Sequence, residues 1–295
     1  MDVSIIIVNF NSARYTGECI DSVVQHTVGL AFEIIVVDNN SESNDVDLLE
    51  EILETKDVRL IKSKINLGFG GGALLGYQIS TGDYLAFINS DSLLNENSLL
   101  KLFTYIKTDE NIGLLGLHQR NEGGEYFEYS ARQFVGLQHH LLGNASSQKF
   151  YAKKYGFENL NQPYEVDMVS GAFMFFDAKK FADAGGFDPK IFLFYEEMDI
   201  CFRLKQKGYK TIFYPGASFI HYQGKSSEKI VTKNELIISY LYVIQKNYSY
   251  WYYLVIRGVL LIKYGIKAIL KPKKYRMPFL IILKGGNSLT YSVKP

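Results

Sequence analysis

Two groups of carboxylates stand where hydrophobic runs stop. Asn89-Ser90-Asp91 follows Tyr84-Leu85-Ala86-Phe87-Ile88 directly, and Glu196-Glu197-Met198-Asp199 opens a helical pattern that runs to about Lys207. A buried strand that ends in a carboxylate presents it at the carboxyl edge of a parallel sheet, where open α/β folds bind their ligands. Asp91, joined by His221 from farther along the chain, can hold a divalent cation against a diphosphate. A carboxylate at 196 or 197 can take a proton from an attacking hydroxyl. Both groups also have a structural reading. Asn89 and Asp91 can close a turn and cap a helix beginning near Asn95, and acids in a first turn suit the helix dipole.

Other polar residues fall at equivalent strand ends. Asn9-Phe10-Asn11 follows Val3–Val8, and Asp38 follows Phe32–Val37. An aromatic such as Phe10 stacks on a base, and Asp38 accepts from base or ribose donors. Gly68-Phe69-Gly70-Gly71-Gly72-Ala73 fits the dinucleotide fingerprint only loosely, because it does not sit at the first strand-to-helix turn. It reads as a flexible backbone segment passing close to a ligand, with simple tight packing as the alternative. The adjacent His139 and His140 read as surface or structural residues rather than a metal pair, since neighbours in sequence point apart.

Positioning these groups requires a sheet. Strands at Val3–Val8, Phe32–Val37 and Val58–Lys62 alternate with helical patterns at Tyr15–His26 and Val46–Thr55, and a helix from the glycines to Ile79 precedes the strand that ends at Asp91. That βαβαβ order predicts an α/β fold with a Rossmann-like, mostly parallel sheet flanked by helices. Arg120–Pro163 is aromatic-rich without a clean period and reads as an irregular insertion that shapes an acceptor site. Val166–Phe176 reads as a strand interrupted by Ser170-Gly171-Ala172. A helix at Ala178–Ala184, a turn at Gly185-Gly186-Phe187-Asp188-Pro189 and a strand at Lys210–Tyr214, leading through Pro215-Gly216 to Phe219-Ile220-His221, follow. We expect a catalytic domain over 1–234, with a donor half to about 115 and an acceptor half from 116, and a basic amphipathic helical tail over 235–295.

In 295 residues, 32 Lys and Arg face 31 Asp and Glu. A net charge of +1 argues against nucleic acid as a partner. Cys19 and Cys201 read as buried thiols in a reducing cytoplasm. No signal-peptide pattern precedes Val3, so the catalytic region is expected inside the cell. In the tail, Lys246, Arg257, Lys263, Lys267, Lys271 and Lys274 share one arc of a helical wheel opposite Trp251, Val255, Val259, Ile262, Ile266 and Ile269. This pattern suits a helix lying on the anionic inner face of the cell membrane rather than crossing it. Packing on the domain, or on another subunit of a homo-oligomer, is the alternative.

Taken in order, Val3–Asn11, Val36–Ser41, Asn66–Gly72, Asn89–Asp91, Ser170–Ala172 and Glu196–Leu204 resemble the successive signatures of family-2 glycosyltransferases, nearest to the bacterial rhamnosyltransferase-like branch. The resemblance covers roughly Asp2 to Gln223. It implies the A-type glycosyltransferase fold and an inverting transfer from a nucleotide-diphosphate sugar, with rhamnose among the sugars used by relatives, assisted by Mg²⁺ or Mn²⁺. It also implies a saccharide or lipid-linked saccharide acceptor in surface polysaccharide synthesis. Val8, Phe10, Asn11, Asp38, Asn66, Gly68, Phe69, Asn89, Ser90 and Asp91 would contact the nucleotide sugar. Asp91 and His221 would hold the metal, and Ser170, Gly171, Ala172 and Asp199 would meet the acceptor. Glu197 occupies the base position of the family's Glu-Asp motif, with Glu196 as its competitor. Two departures stand out: Asn89 replaces the first acid of the Asp-x-Asp motif, and Glu197 stands where Asp is usual. A nucleotidyltransferase of similar sheet architecture and a non-catalytic nucleotide-sugar-binding protein are the rival readings.

Overall fold

The computed structural model describes residues 1–127, 130–143, 162–222, 229–285 and 291–294. Its centre is a mostly parallel sheet in the order β3-β2-β1-β4-β10-β6-β11-β5, with β8 also pairing with β11. The strands are β1 (Val3–Asn9), β2 (Phe32–Asp38), β3 (Arg59–Lys62), β4 (Tyr84–Asn89), β5 (Ser92–Leu94), β6 (Ile112–Arg120), β8 (Tyr164–Glu165), β10 (Phe173–Asp177) and β11 (Lys210–His221). Strands β3, β2, β1 and β4 run parallel, as the alternating pattern predicts, and β10 enters antiparallel between β4 and β6. Near-continuous Val and Ile in β1 and β2 are explained by burial on both faces of the sheet.

Helices α1 (Ala13–His26), α2 (Ser43–Leu53), α3 (Gly68–Gln78) and α4 (Ser98–Ile106) follow their strands. One hydrophobic cluster gathers α1, α2 and α4 on one face of the sheet. The other gathers α3, α6 (Ala178–Asp183), α7 (Glu196–Gln206) and the C-terminal helices on the opposite face. A small second sheet is formed by β7 (Ala131–Arg132) and β9 (Met168–Val169), and a short helix, α5 (Leu137–Leu142), lies between them in the chain.

Four local expectations change. Residue 91 does not lead into a helix: β5 comes first, and α4 starts only at Ser98. The stretch Val166–Phe176 is divided, because β9 pairs with β7 while β10 joins the main sheet. The glycines are not a flexible segment ahead of a helix but the opening of α3 itself. A Cβ on Gly76 would lie 2.6 Å from Ile6 Cγ2, and one on Gly68, at φ +74°, would lie 1.9 Å from the Phe192 carbonyl oxygen. Tight packing accounts for both positions. In β11, Pro215-Gly216 does not end the strand; the pairing with β6 shifts register between Tyr214 and Ser218 instead. Of the expected insertion over 120–163, residues 128–129 and 144–161 lie outside those described.

The tail is not one helix. It consists of α8 (Lys229–Asn247), α9 (Tyr250–Leu270) and α10 (Pro272–Lys284). Ser249 caps α9, accepting from the Tyr252 N–H, and Pro272 begins α10. The expected boundary at 234 therefore falls inside α8, whose Ile237, Ile238, Leu241 and Ile244 join the central core. With the wheel broken, two members of its basic arc turn inward. Lys246 pairs with Asp188 and Asp199, and Arg257 donates to the Ile282 and Leu283 carbonyls at the end of α10.

Candidate active site

The carboxyl ends of β1, β2 and β4 form one polar edge. Asn9, fully buried at the end of β1, organises it. Its Nδ2 lies 3.1 Å from Asp38 Oδ1, 3.1 Å from Ser41 Oγ and 2.9 Å from Asp45 Oδ2. Its Oδ1 accepts from Ser12 Oγ and Thr16 Oγ1. Asp45 also accepts from the Ala13 N–H at the start of α1, so one network fixes both the strand end and the helix entry. Asp38 is buried beneath this network. Phe10 and Asn11 extend beyond it, with Asn11 left-handed at φ 50° and its side chain accepting from the Glu42 N–H.

A second asparagine, Asn39, ties down the next loop. Its Nδ2 donates to Asn66 Oδ1 and the Gly68 carbonyl, and its Oδ1 accepts from the Leu67 N–H, each at 3.0 Å. Asn66, Gly68 and Phe69 are thereby held against the end of β2. Val8 lies under the same helix, its Cγ1 3.0 Å from where a Cβ on Gly72 would stand. Sequence reasoning assigned no role to Asn9 or Asn39. Their one signal was an asparagine after a β-branched run, which equally marks an ordinary turn.

Asp91 meets His221 because β5 pairs antiparallel with the end of β11, setting His221 opposite Ser92. Asp91 Oδ1 is 3.0 Å from His221 Nε2. The other ring nitrogen, Nδ1, is buried without a hydrogen-bond partner. Ser90 Oγ lies 3.0 Å from Ser12 Oγ, joining this corner to the β1 edge. A carboxylate and an imidazole suit a divalent cation whose remaining positions are filled by phosphate oxygens and water, so the pair fits a metal that a bound diphosphate completes. Among the described residues no cluster of three or more His, Cys, Asp or Glu could hold an ion alone.

The acidic cluster approaches from the other side. Asn89 donates its backbone N–H to the Ala172 carbonyl at 3.0 Å, and the adjacent Gly171 faces Glu197, whose Oε2 would be 3.8 Å from a Cβ there. Ser170 is turned inward, donating to Gln119 Oε1 at 2.9 Å, a buried partner that sequence reasoning missed. The ladder of β7 with β9 delivers Arg132, whose Nη2 lies 3.2 Å from Glu197 Oε1. Arg132 fell in the stretch without a legible period, so nothing in the sequence pointed to it.

The two neighbouring glutamates occupy different surroundings. Glu197 keeps 13% of its side chain exposed. Glu196 is buried with Oε2 unpartnered. Burial, and then the neighbouring Glu197, holds the Glu196 carboxyl well above the usual range. Phe194 and Tyr195, immediately before, are both left-handed, at φ 69° and 65°. Two such bulky residues in succession hold roughly 1–3 kcal/mol of strain each, and strain of this kind clusters at functional sites.

Asp199 does not face this cleft. Its side chain is 0% exposed and binds Arg203 Nη2 at 2.7 Å, Lys246 Nζ at 2.9 Å and Asn247 Nδ2 at 2.8 Å. It stands two residues past Glu197, about 200° round the helix, on the face packed against α8. The expected acceptor role is replaced by a structural one. His139 and His140 are structural as well. Tyr240 donates its O–H to the Val135 carbonyl, so His140 Nε2, 2.7 Å away, must be the donor to the Tyr240 oxygen. Burial pushes the His140 imidazole down to about 4.

Comparison with known proteins agrees with this geometry. Residues 4–185 match glycosyl transferase family 2. The rhamnosyltransferase WbbL of Escherichia coli K12 is 25% identical over 157 residues, 53% of this chain and 59% of that one. An N-acetylglucosaminyl-diphospho-decaprenol L-rhamnosyltransferase of Mycobacterium tuberculosis is 26% identical over 211 residues, 66% of this chain and 67% of that one. The crystal structure of GalNAc-T7 with UDP, GalNAc and Mn²⁺ superposes with a TM-score of 0.60 at 19% identity, over 83% of this chain and 48% of that one. The chain spans between 35% and 59% of the length of several curated relatives that it matches. The strand order, the Asn89–Asp91 corner and the match over residues 4–185 together make this chain a member of glycosyl transferase family 2, with the A-type fold.

Proposed function

We propose that the chain transfers a sugar, rhamnose being the candidate that two relatives suggest, from a nucleotide-diphosphate donor to a hydroxyl of a saccharide or lipid-linked saccharide, with inversion. The observation that carries this reading is the hydrogen bond from Asn89, two residues before Asp91, to Ala172, beside the Gly171 that Glu197 faces. Phe10, Asn11 and Asp38 would hold the nucleoside, while Asn66, Gly68 and Phe69 would border the donor. Asp91 and His221 would hold Mg²⁺ or Mn²⁺, which when bound offsets charge on the leaving diphosphate. Glu197 is the base of the pair. It keeps part of its side chain accessible and is paired with Arg132, whereas burial favours the protonated form of Glu196. As the acceptor proton passes to Glu197, the acceptor oxygen bonds to the anomeric carbon from the face opposite the donor diphosphate. The bond to the diphosphate breaks, and its electron pair leaves with the diphosphate oxygen.

The test is a paired substitution, assayed for transfer after a screen of nucleotide sugars and acceptors. Glu197→Gln should bind donor normally and lose roughly two to four orders of magnitude in kcat. Glu196→Gln should lose much less. The opposite ranking in folded proteins would move the base to Glu196, and undiminished transfer by both would sink a carboxylate base in this cluster.

A further inference from the structure

The overall charge of +1 conceals a strong segregation. Residues 236–295 contain ten Lys and Arg and no Asp or Glu, which leaves 22 cations against 31 acids in the rest of the chain. Within this segment α9 buries one face through Tyr253, Ile256 and Leu260. The opposite face is apolar and bare: Trp251 is 76% exposed, Ile262 69%, Ile266 56% and Ile269 81%. At about 100° per residue these four lie within one narrow arc, and at about 1.5 Å per residue they extend along roughly 27 Å of helix. The next helix, α10, follows with exposed Lys273, Lys274 and Arg276 beside exposed Met277 and Leu280. Lys267 lies over the rings of Tyr264 and Tyr275, and Lys274 over that of Tyr275.

We propose that the hairpin of α9 and α10 is a docking face for an anionic lipid bilayer. Trp251, Ile262, Ile266 and Ile269 enter the boundary between headgroups and acyl chains, and Lys271, Lys273 and Lys274 meet the lipid phosphates. A long apolar stripe edged only by cations, with a tryptophan at one end, is the composition that lies in such an interface. No helix among the described residues is long and apolar enough to cross the membrane. Lys246 and Arg257 take no part, being committed to contacts within the protein. The proposal uses no donor, metal or base residue, and so stands apart from the catalytic reading.

Trp251 is the single tryptophan and reports the event directly. With the full chain, vesicles of mixed phosphatidylglycerol and phosphatidylcholine should shift its emission to the blue and shield it from an aqueous quencher. Pure phosphatidylcholine should bind much less. Replacing Ile266 and Ile269 together by Asp should weaken partition by more than about tenfold. Replacing Lys271, Lys273 and Lys274 by Gln should weaken binding to the anionic vesicles by on the order of a hundredfold at low salt. All five residues are exposed, so an unchanged melting temperature verifies folding. Failure to partition into anionic vesicles would refute the proposal, as would cosedimentation with unaltered Trp251 emission. A blue shift without vesicles that grows with protein concentration would assign the face to a second copy. Donor turnover measured without vesicles tests the catalytic reading separately.

Discussion

Replacing Asp199 by Asn separates a structural role from a catalytic one within a single helix. The substitution keeps the side-chain volume and removes the charge, leaving a donor-bearing amide among Arg203, Lys246 and Asn247. Breaking a buried ion pair typically costs 3–5 kcal/mol. Here the stranded cations are not left bare. Arg203 keeps the Ala184 and Gly186 carbonyls, and Lys246 keeps Asp188 at 2.7 Å. The lower end, about 3 kcal/mol, is therefore expected, which for a chain of this size lowers Tm by roughly 6 °C. Urea unfolding should show a lower midpoint at unchanged slope if two-state behaviour holds, and acceptor KM should be normal at temperatures where the variant is folded. A variant of unchanged stability with a raised acceptor KM would show that Asp199 faces the acceptor and that the buried network contributes nothing.

Other outcomes follow from the same geometry. Asp91→Asn should remove most turnover, and excess chelator should do the same to the parent protein; full activity in chelator would dismiss Asp91 and His221 as metal ligands. Asp38→Ala should raise donor KM far more than it lowers kcat, as steady-state kinetics would reveal, because a nucleoside contact is made alike in ground and transition states. Gly68→Ala should destabilise by about 3 kcal/mol or more, measured by denaturant titration, since no side chain fits against the Phe192 carbonyl and φ is positive. His140 should add acid sensitivity: with its folded value near 4 and its ordinary value at 6.5, the unfolded chain binds the extra proton first, so stability falls as pH drops from 6.5 toward 4. The loss should reach about 3 kcal/mol and be absent in His140→Gln.

The alternation of β-branched runs with helical patterns determined the parallel half of the sheet, and the polar residues that end each run marked its polar edge. These signals are local, because a strand buried on both faces must be apolar until it leaves the sheet. The division of Val166–Phe176 between two sheets, the packed helical turn where a flexible glycine segment was expected and the break of the tail into three helices were not legible. Each depends on which surface arrives from elsewhere: Phe192 over Gly68, β7 beside β9, the main core against α8. The same holds within the site. Sequence alone supplied Asp91, His221 and two candidate bases, since those residue types are the ones able to do the chemistry. Tertiary structure decided their surroundings, delivering Arg132 to Glu197, burying Glu196 and turning Asp199 away to three partners 4 to 48 positions distant. A side chain's identity sets what it can do, but its charge state and direction depend on neighbours that only the folded chain brings within a few ångströms.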